Sequence, residues 1–333
     1  MAPRLRLSVL DQSPVPEGST GADALRNTLD LARLADQLGY HRYWVAEHHG
    51  TPGLACTSPE TMAGLIAATT SRLRVGSGGV MVPHYSPLKV AENFSALAGL
   101  FPGRIDLGIG RAAGTDPTTT LALQRDRRRA APDDFPRQLD ELLAYFEPDG
   151  ERHPFAARAV LPGAPHAPDV WLLGSSAQSA VWAAELGLPY AFADFINPAG
   201  AAYAAYYRES FTPSRLPAPR LAVAAWAVCA PTDSEARDLA ASFRMMITLL
   251  HRGQLIRVPP VTKALRFLET EGGPTRALPA NRRIVVGAPA AVRAGLEAVA
   301  QEYGAEEVLV VNILHDHAAR RRSYELIADV FGL

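Results

Sequence analysis

The stretch RVGSGGVMVPHYSPLKVAENFSALAGLFPGRIDLGIG, residues 74–110, contains the repeating unit that determines the fold. Two short apolar runs, at 74–83 and 105–110, predict strands. Between them, the spacing of apolar residues from Pro87 to Leu100 predicts a helix, and proline is common at the first helical position. A strand, a helix and a second apolar strand in this order are typical of a βαβ unit in a parallel sheet.

The same alternation continues on both sides of this unit. It predicts helices between the strands, the first of which ends at Gly39. Eight strands with helical partners are the number that a (β/α)8 TIM barrel needs. A doubly wound open sheet is the alternative, but no linker signal divides the chain, which favours one closed barrel domain over residues 1–333. The six further strands are predicted at 5–10, 43–47, 170–174, 189–193, 220–230 and 306–313.

Two long segments do not fit the repeating unit. Residues 112–134 are polar and rich in proline, threonine and arginine, and residues 251–283 contain several prolines and glycines. Long connections inside a compact domain are usually lids or disordered loops rather than core. We therefore expect both as insertions at the C-terminal face of the barrel, where they could cover its mouth.

Composition excludes several classes of protein. The chain has 333 residues and a net charge of -1, with 33 basic against 34 acidic side chains, which favours neither nucleic acid nor an anionic membrane as partner. Its single basic cluster, from Arg125 to Arg129, is typical of a solvated face. The first residues do not form a signal peptide, and no apolar run predicts a membrane span. Cys56 and Cys229 form neither a disulfide framework nor a zinc motif, so we expect a cytoplasmic protein.

Familiar catalytic and binding motifs do not match. The glycines at 108, 110 and 114 resemble a dinucleotide fingerprint, but their spacing is wrong and no helix start follows. The adjacent His48 and His49 cannot easily bind one metal ion if they continue a strand, because neighbouring side chains then point to opposite faces. Residues 315–317, His-Asp-His, have better spacing but lack a third ligand, and a helix-capping role is favoured there. The sequence predicts no metal site.

Candidate functional residues follow the ends of predicted strands, where TIM barrels place their chemistry. His48 follows the second strand and is either an ordinary strand-end histidine or a catalytic one. Arg111 follows the fourth strand. Ser175, Ser176 and Ser179 follow the fifth, at the start of a helix whose N–H groups favour an anion. One serine could simply cap that helix, but three hydroxyls together with Arg111 favour a phosphate site.

At these residues the chain resembles the bacterial-luciferase-like family of flavin-dependent monooxygenases. Motifs similar to consecutive barrel motifs of that family occur in the same order along nearly the whole chain. They are YWVAEHH (43–49), RVGSGGVMVP (74–83), GRIDLGIGR (103–111), GSSAQSAVWAAELGLPY (174–190) and VVGAPAAVRAGLEAVAQEYGAEEVLVV (285–311).

The resemblance implies reduced FMN as the cofactor, with oxygen and a small organic molecule as substrates. His48 matches the histidine that the family needs for flavin-dependent oxygen chemistry, and Arg111 matches the arginine that binds the FMN phosphate. The phosphate-binding positions of the fifth strand–helix turn match Ser175, Ser176 and Ser179.

Gly78 and Gly79 occupy the position where the family has a cis peptide bond between non-proline residues beneath the flavin ring. A bulge or close backbone packing is the alternative explanation for two glycines in a strand. The family's luciferases have a reactive cysteine where this chain has Gly110, so the light-emitting reaction is not expected. We predict that Tyr85, Phe195 and Trp226 contribute to a partly aromatic substrate pocket.

We therefore predict a monooxygenase that uses reduced FMN and oxygen. Because no NAD(P)H fingerprint is visible, a separate reductase is expected to supply the reduced flavin. A deazaflavin-dependent oxidoreductase and a flavin-binding protein without turnover are the alternatives on the same fold. The resemblance also implies a homodimer, and the helices predicted at 58–70 and 87–100 are the candidates for its interface.

Overall fold

The protein is described from a computed structural model, which covers residues 4–111, 116–124, 127–128, 134–147, 153–270 and 284–333. Strands and helices alternate along these residues. The strands are β1 (Arg6–Asp11), β2 (Arg42–Val45), β3 (Arg74–Met81), β4 (Ile105–Gly110), β5 (Asp169–Gly174), β6 (Tyr190–Ala193), β7 (Leu221–Cys229), β8 (Val285–Gly287) and β9 (Glu307–Val311). The helices are α1 (Gly21–Leu38), α2 (Pro59–Thr69), α3 (Pro87–Leu100), α4 (Pro117–Leu123), α5 (Phe135–Ala144), α6 (Ala177–Glu185), α7 (Ala201–Glu209), α8 (Asp233–His251), α9 (Val261–Thr270), α10 (Pro289–Tyr303) and α11 (His317–Phe331).

Eight of these strands close into a parallel barrel. Each of β1 to β6 pairs with the next strand, and β9 pairs with both β7 and β1. This confirms the predicted (β/α)8 barrel and excludes the alternative, an open sheet. Strand β9 lies where the eighth strand was predicted. The short strand β8 was not among the predicted strands. It pairs with the last residues of β7 and stands outside the closed barrel.

The barrel strands contribute to two main clusters of the core, because successive side chains of a strand point to opposite faces. Val9, Tyr43 and Val308 face outward and pack with residues of the surrounding helices. Leu10, Trp44 and their counterparts on the other strands form a separate cluster inside the barrel. All nine residues of β7 are buried, as expected for a parallel strand covered on both faces.

A buried ion network fills the N-terminal end of the barrel. The Arg42 guanidinium lies 2.6 Å from the Asp106 carboxylate and 2.5 Å from that of Glu307. Arg74 also pairs with Asp106, at 2.5 Å. Burial opposes ionisation of Asp106, but the charges of Arg42 and Arg74 outweigh it and lower the pKa of this carboxyl. Since paired charges occupy this end, space for ligands is left at the opposite end.

Local signals set the helix boundaries. Helix α1 begins with a capping box, in which Thr20 and Asp23 bond each other's backbone N–H groups, and it ends at Gly39 in the left-handed conformation with φ 91. The predicted end at Gly39 is therefore confirmed. Cys56 and Cys229 are buried free thiols. No helix in the described ranges has both the length and the apolar character needed to cross a bilayer.

The two predicted insertions are described in part. Segment 112–134 contributes α4, and segment 251–283 contributes α9; residues 112–115, 125–126, 129–133 and 271–283 lie outside the described residues. Arg127 and Arg128, the described members of the basic cluster, are exposed as predicted.

Candidate functional site

Two cavities lie at the C-terminal end of the barrel and share the side chains of Phe195 and Ile196. The first, of about 410 Å³, is lined mainly by residues at strand ends, and we call it the strand cavity. The second, of about 540 Å³, is lined by residues of α8 and by the segments that follow β2 and α8, and we call it the α8 cavity. Both volumes fall within the range of roughly 300–1,000 Å³ that is typical of small-molecule sites.

The structure brings together six of the seven predicted site residues. These six residues lie in or near the C-terminal parts of β3, β4 and β5, and all of them line the strand cavity. These residues are Gly78, Gly79, Arg111, Ser175, Ser176 and Ser179. His48, the seventh, lines the neighbouring α8 cavity instead.

Gly78 and Gly79 form an irregular turn within β3. The peptide bond between them is cis, as the resemblance implied, and the pairing with β4 shifts register at this point. A Cβ atom on Gly79 would lie 2.8 Å from the carbonyl oxygen of Gly108, and one on Gly78 would lie 2.4 Å from Leu10 Cδ1. Close approach of backbone therefore favours glycine at position 79, whereas a side chain at position 78 would first have to displace the end of Leu10.

Arg111 follows β4 and is exposed at the cavity. Its guanidinium carbon lies 5.7 Å from the centroid of the Trp182 ring on α6, at a distance that permits a cation–π contact. The arginine thus lies beside the helix that carries the predicted phosphate-binding serines.

The three serines at the start of α6 differ in their hydrogen bonds. Ser176 occupies the N-cap position but makes no side-chain capping bond, so the capping explanation does not account for it. Within the described residues, neither its hydroxyl nor that of Ser175 has a hydrogen-bond partner. Ser179 is buried, and its Oγ donates to the carbonyl of Ser176 at 2.8 Å and contacts Tyr190 Oη at 2.8 Å. Ser175 and Ser176 are therefore the hydroxyls open to a ligand, whereas Ser179 holds the turn.

His48 lies beyond the end of β2, with its backbone N–H donating to the carbonyl of Cys56 at 2.9 Å. Its Nδ1 is buried without a hydrogen-bond partner. Burial lowers the pKa of His48 to about 4, and the neighbouring His49 acts in the same direction. The charged form of this imidazole would lose hydration without gaining a carboxylate, so burial favours the uncharged form.

A buried carboxylate organises the segment next to His48. Glu47 is fully buried and accepts hydrogen bonds from the backbone N–H of Met81 at 2.9 Å and from Tyr85 Oη at 2.7 Å. Its Oε1 also lies 2.7 Å from His49 Nε2. Burial and the nearby Glu47 carboxylate raise the pKa of Tyr85.

This network corrects two predictions. His49 was expected to point away from the site, but it lines the α8 cavity together with His48. The reason is that β2 ends at Val45, so strict strand alternation does not extend to the histidines. Tyr85 lines neither cavity, and its hydroxyl is bonded to Glu47. Phe195 and Trp226 do line the α8 cavity. The spacing Glu-x-His was the sequence signal for the carboxylate–imidazole pair.

The His-Asp-His segment has structural contacts. Asp316 caps α11 by accepting a hydrogen bond from the backbone N–H of Ala319 at 2.7 Å, which confirms the predicted capping role. His317 Nε2 lies 2.8 Å from a carboxylate oxygen of Asp30. The described residues contain no group of three potential metal ligands there or elsewhere.

Similar proteins cover the chain from end to end. A protein of Escherichia coli K12 named luciferase-like monooxygenase is 41% identical over 328 residues, which is 98% of this chain and 97% of that protein. The N-acetyl-S-alkylcysteine monooxygenase of Bacillus subtilis is 35% identical over 333 residues, with 98% of each chain covered.

Solved structures show the same architecture. Apo-MsnO8 superposes with a TM-score of 0.89 at 43% identity and covers 99% of both chains. The oxygenating constituent of 3,6-diketocamphane monooxygenase from Pseudomonas putida, in complex with FMN, has a TM-score of 0.74. It is 19% identical and covers 98% of this chain and 97% of that one, a likeness that extends to the fold alone.

The closed parallel barrel and the position of the candidate residues at its strand ends are consistent with the relatives, which match nearly the whole chain. The model of the family described as luciferase-like monooxygenase matches residues 5–307. This chain therefore belongs to the luciferase-like monooxygenase family.

Proposed function

We propose that this chain is one catalytic domain over residues 1–333, which uses reduced FMN and oxygen to oxidise a small organic substrate. The observation that carries the proposal is the strand cavity, where three strand ends converge with the residues expected to bind the cofactor. Monooxygenase relatives of full length support the reaction class.

The strand cavity fits a phosphorylated ligand. Two serine hydroxyls without partners in the described structure stand at the N-terminus of α6, where backbone N–H groups favour an anion. Arg111 lies beside the same helix and adds a positive charge. In this proposal Ser175, Ser176 and Arg111 hold the FMN phosphate, and Ser179 keeps the turn in shape through its bond to the Ser176 carbonyl.

The rest of the strand cavity fits a flat, largely apolar ring. Leu10, Ala224 and Leu309 project from the barrel interior, beside the backbone of Gly78 and Gly79. Small and apolar walls of this kind exclude water from a bound ring. When bound, reduced FMN supplies the two electrons and two protons with which one atom of O2 enters the substrate and the other leaves as water.

The protein's own contribution is binding, exclusion of water and control of protons. His48 lies at the neighbouring cavity, and because burial keeps it uncharged at neutral pH, its ring can donate or accept one hydrogen bond without placing a charge there. The Glu47 carboxylate bonded to His49 holds the second imidazole in one orientation. A separate reductase would supply the reduced flavin, since no dinucleotide-binding motif was found in the sequence.

Arg111→Ala tests the phosphate site. We expect FMN to bind about 2–3 kcal/mol more weakly, the scale of a lost charge-assisted hydrogen bond. Binding of riboflavin, which lacks the phosphate, should change far less. The measurement is an anaerobic titration of both ligands, with Arg33→Ala on the exposed face of α1 as the matched control. Equal losses for FMN and riboflavin would place Arg111 away from the phosphate.

Oxygen then distinguishes the reaction classes. Protein loaded anaerobically with reduced FMN is mixed with oxygen, and substrate oxidation, flavin absorbance and hydrogen peroxide are followed together. Oxygenated product formed in step with flavin oxidation supports the proposal. Binding of a deazaflavin in preference to FMN would identify a hydride-transferring oxidoreductase, and tight binding of FMN without turnover would identify a binding protein.

A further inference from the structure

The α8 cavity has an apolar wall made by one helix. Phe243, Met246, Ile247 and Leu250 recur at intervals of three and four residues, which places them on one face of α8, and all four line the cavity. This face therefore presents a continuous apolar surface to a ligand in the cavity.

Aromatic rings from two other elements continue this wall. Trp226 of β7 lies with its ring centroid 3.9 Å from that of Phe243. Phe195, which follows β6, meets the edge of Trp226 at 5.5 Å. Aromatic rings supply large contact areas and favour apolar ligands. Residues of β7, of α8 and of the segment after β6 thus form one apolar surface.

The mouth of the α8 cavity is also apolar. Ile196, Leu250 and Leu255 line the cavity, and their exposed fractions are 55%, 47% and 46%. Large apolar side chains grouped in the open commonly mark a binding site. A ligand that entered here would cover them, and the burial of this surface would favour its binding.

The charges of the lining oppose an anionic ligand. Among the described lining residues none is lysine or arginine, and the one acidic side chain is Asp116. His48 is uncharged at neutral pH, because burial lowers its pKa to about 4. A carboxylate or sulfonate inside the cavity would lose its hydration, and the other imidazole of the wall, His49, is already bonded to the buried Glu47 carboxylate.

We propose that the α8 cavity binds the substrate of the oxygenation, and that this substrate is an uncharged molecule with an apolar, ring-containing or branched body. The apolar face of α8 selects it, together with Trp226 and Phe195. The assignment of this ligand as the oxygenation substrate rests on the proposed function, whereas the preference of the cavity for uncharged ligands does not.

Two probes of similar shape and different charge test the preference. N-phenyl-1-naphthylamine is uncharged, and 1-anilinonaphthalene-8-sulfonate is an anion with the same ring system. Both fluoresce strongly in apolar surroundings, so each can be titrated onto the full-length protein without flavin. We expect the uncharged probe to bind roughly tenfold or more tightly than the anion. Equal affinities, or tighter binding of the anion, would overturn the proposal.

Lysine variants locate the probe. Met246→Lys, and separately Leu250→Lys at the exposed rim, should weaken the uncharged probe by about tenfold and strengthen the anion, because a positive charge then faces the cavity. Leu239→Lys is the matched control, since Leu239 is a partly buried residue of α8 that packs instead with Val228 and Leu314. Thermal unfolding checks that each variant is folded. If both cavity variants bind the probes as the control does, the site is elsewhere.

Flavin separates failure of this proposal from failure of the proposed function. The uncharged probe should still bind when FMN is saturating, because the two ligands occupy different cavities, and it should inhibit product formation in turnover. Displacement of the probe by FMN alone would place it in the strand cavity and contradict the proposal. A protein that binds the probe as expected but shows no binding of FMN would contradict only the proposed function.

Discussion

At the scale of single residues, the two histidines after β2 differ in what surrounds them. His49 is paired with the buried Glu47 carboxylate, whereas His48 has a buried Nδ1 without a partner and a pKa lowered by burial. An uncharged imidazole without a protein partner can transfer a proton only to or from a ligand bound beside it. His48 is thus suited to act on the ligand itself, and His49 to hold a fixed position.

His48→Ala should retain FMN binding and lose coupled turnover. General acid or base catalysis is typically worth about 10²–10⁴-fold in rate, so we expect a loss of that size in substrate oxidation, with more hydrogen peroxide released. Because burial lowers the pKa of His48 to about 4, the rate of the parent enzyme should show no inflection near its ordinary value of 6.5 from this residue. Product and peroxide are measured together from weakly acidic to weakly alkaline pH.

His49→Ala is the comparison for this experiment. Removing this imidazole leaves the buried Glu47 carboxylate without one hydrogen-bond partner, so its main expected effect is on stability. Full coupled turnover in His48→Ala with complete loss in His49→Ala would show that His49 carries the chemistry. Unchanged turnover in both would remove the histidines from the reaction.

At the scale of elements, α2 and α3 each have a buried face and also apolar residues that are exposed to solvent. The two helices are neighbours, since a Cβ atom on Gly64 would lie 3.2 Å from Leu97 Cδ2. Leu65 of α2 is 47% exposed and Leu100 of α3 is 73% exposed. A second copy of the chain would cover these leucines, as the predicted homodimer requires.

We expect the protein to be a dimer at micromolar concentration, and Leu65→Lys with Leu100→Lys to shift it toward monomer. A stable interface buries roughly 1,200–2,000 Å², and a charge in its apolar centre is costly. Light scattering measures the mass of each variant. Val160→Lys introduces the same charge at a side chain that is 89% exposed outside these helices, and it should leave the mass unchanged. A monomeric parent would contradict the prediction.

At the scale of the whole molecule, three histidines link stability to pH, because burial lowers the pKa of His41, His48 and His317. The pKa of His41 and of His48 falls from 6.5 to about 4. The unfolded chain takes up these protons near pH 6.5 but the folded chain only near pH 4. Protons therefore favour the unfolded state throughout this interval. The contribution of His41 and His48 to stability is present above pH 6.5 and is lost as the pH falls toward 4.

The free energy of unfolding should therefore decrease as the pH falls from about 6.5 toward 4, by at most about 1.4 kcal/mol per pH unit for each histidine. Urea unfolding at about pH 7, 6 and 5 measures it. Replacing His41 and His48 by asparagine should reduce the dependence, whereas His166→Asn, at an exposed site, should preserve it. A parent whose stability is constant over this range would show that neither histidine is kept uncharged by folding.

Local patterns along the chain were enough to predict the barrel and the strand ends that carry the candidate site. Short apolar runs and helical spacing are local signals. The bounds that they predicted for β3, β4 and β9 lie within two residues of those observed. Capping patterns such as that of Thr20 and Asp23 act over four residues and can be read directly. The cofactor-binding candidates were also named from the sequence, because they lie at predicted strand ends or within motifs that resemble those of a known family.

The cavity that each of these residues lines depends on long-range packing, which the local patterns do not encode. Packing of the folded chain places Trp226 of β7 in contact with Phe195, which follows β6, and with Phe243 of α8. The unusual state of His48 likewise depends on how deeply the fold buries it, and the pairing of Glu47 with His49 depends on where β2 ends. Periodicity describes neighbours along the chain, whereas burial and cavity walls arise from contacts between residues far apart in it.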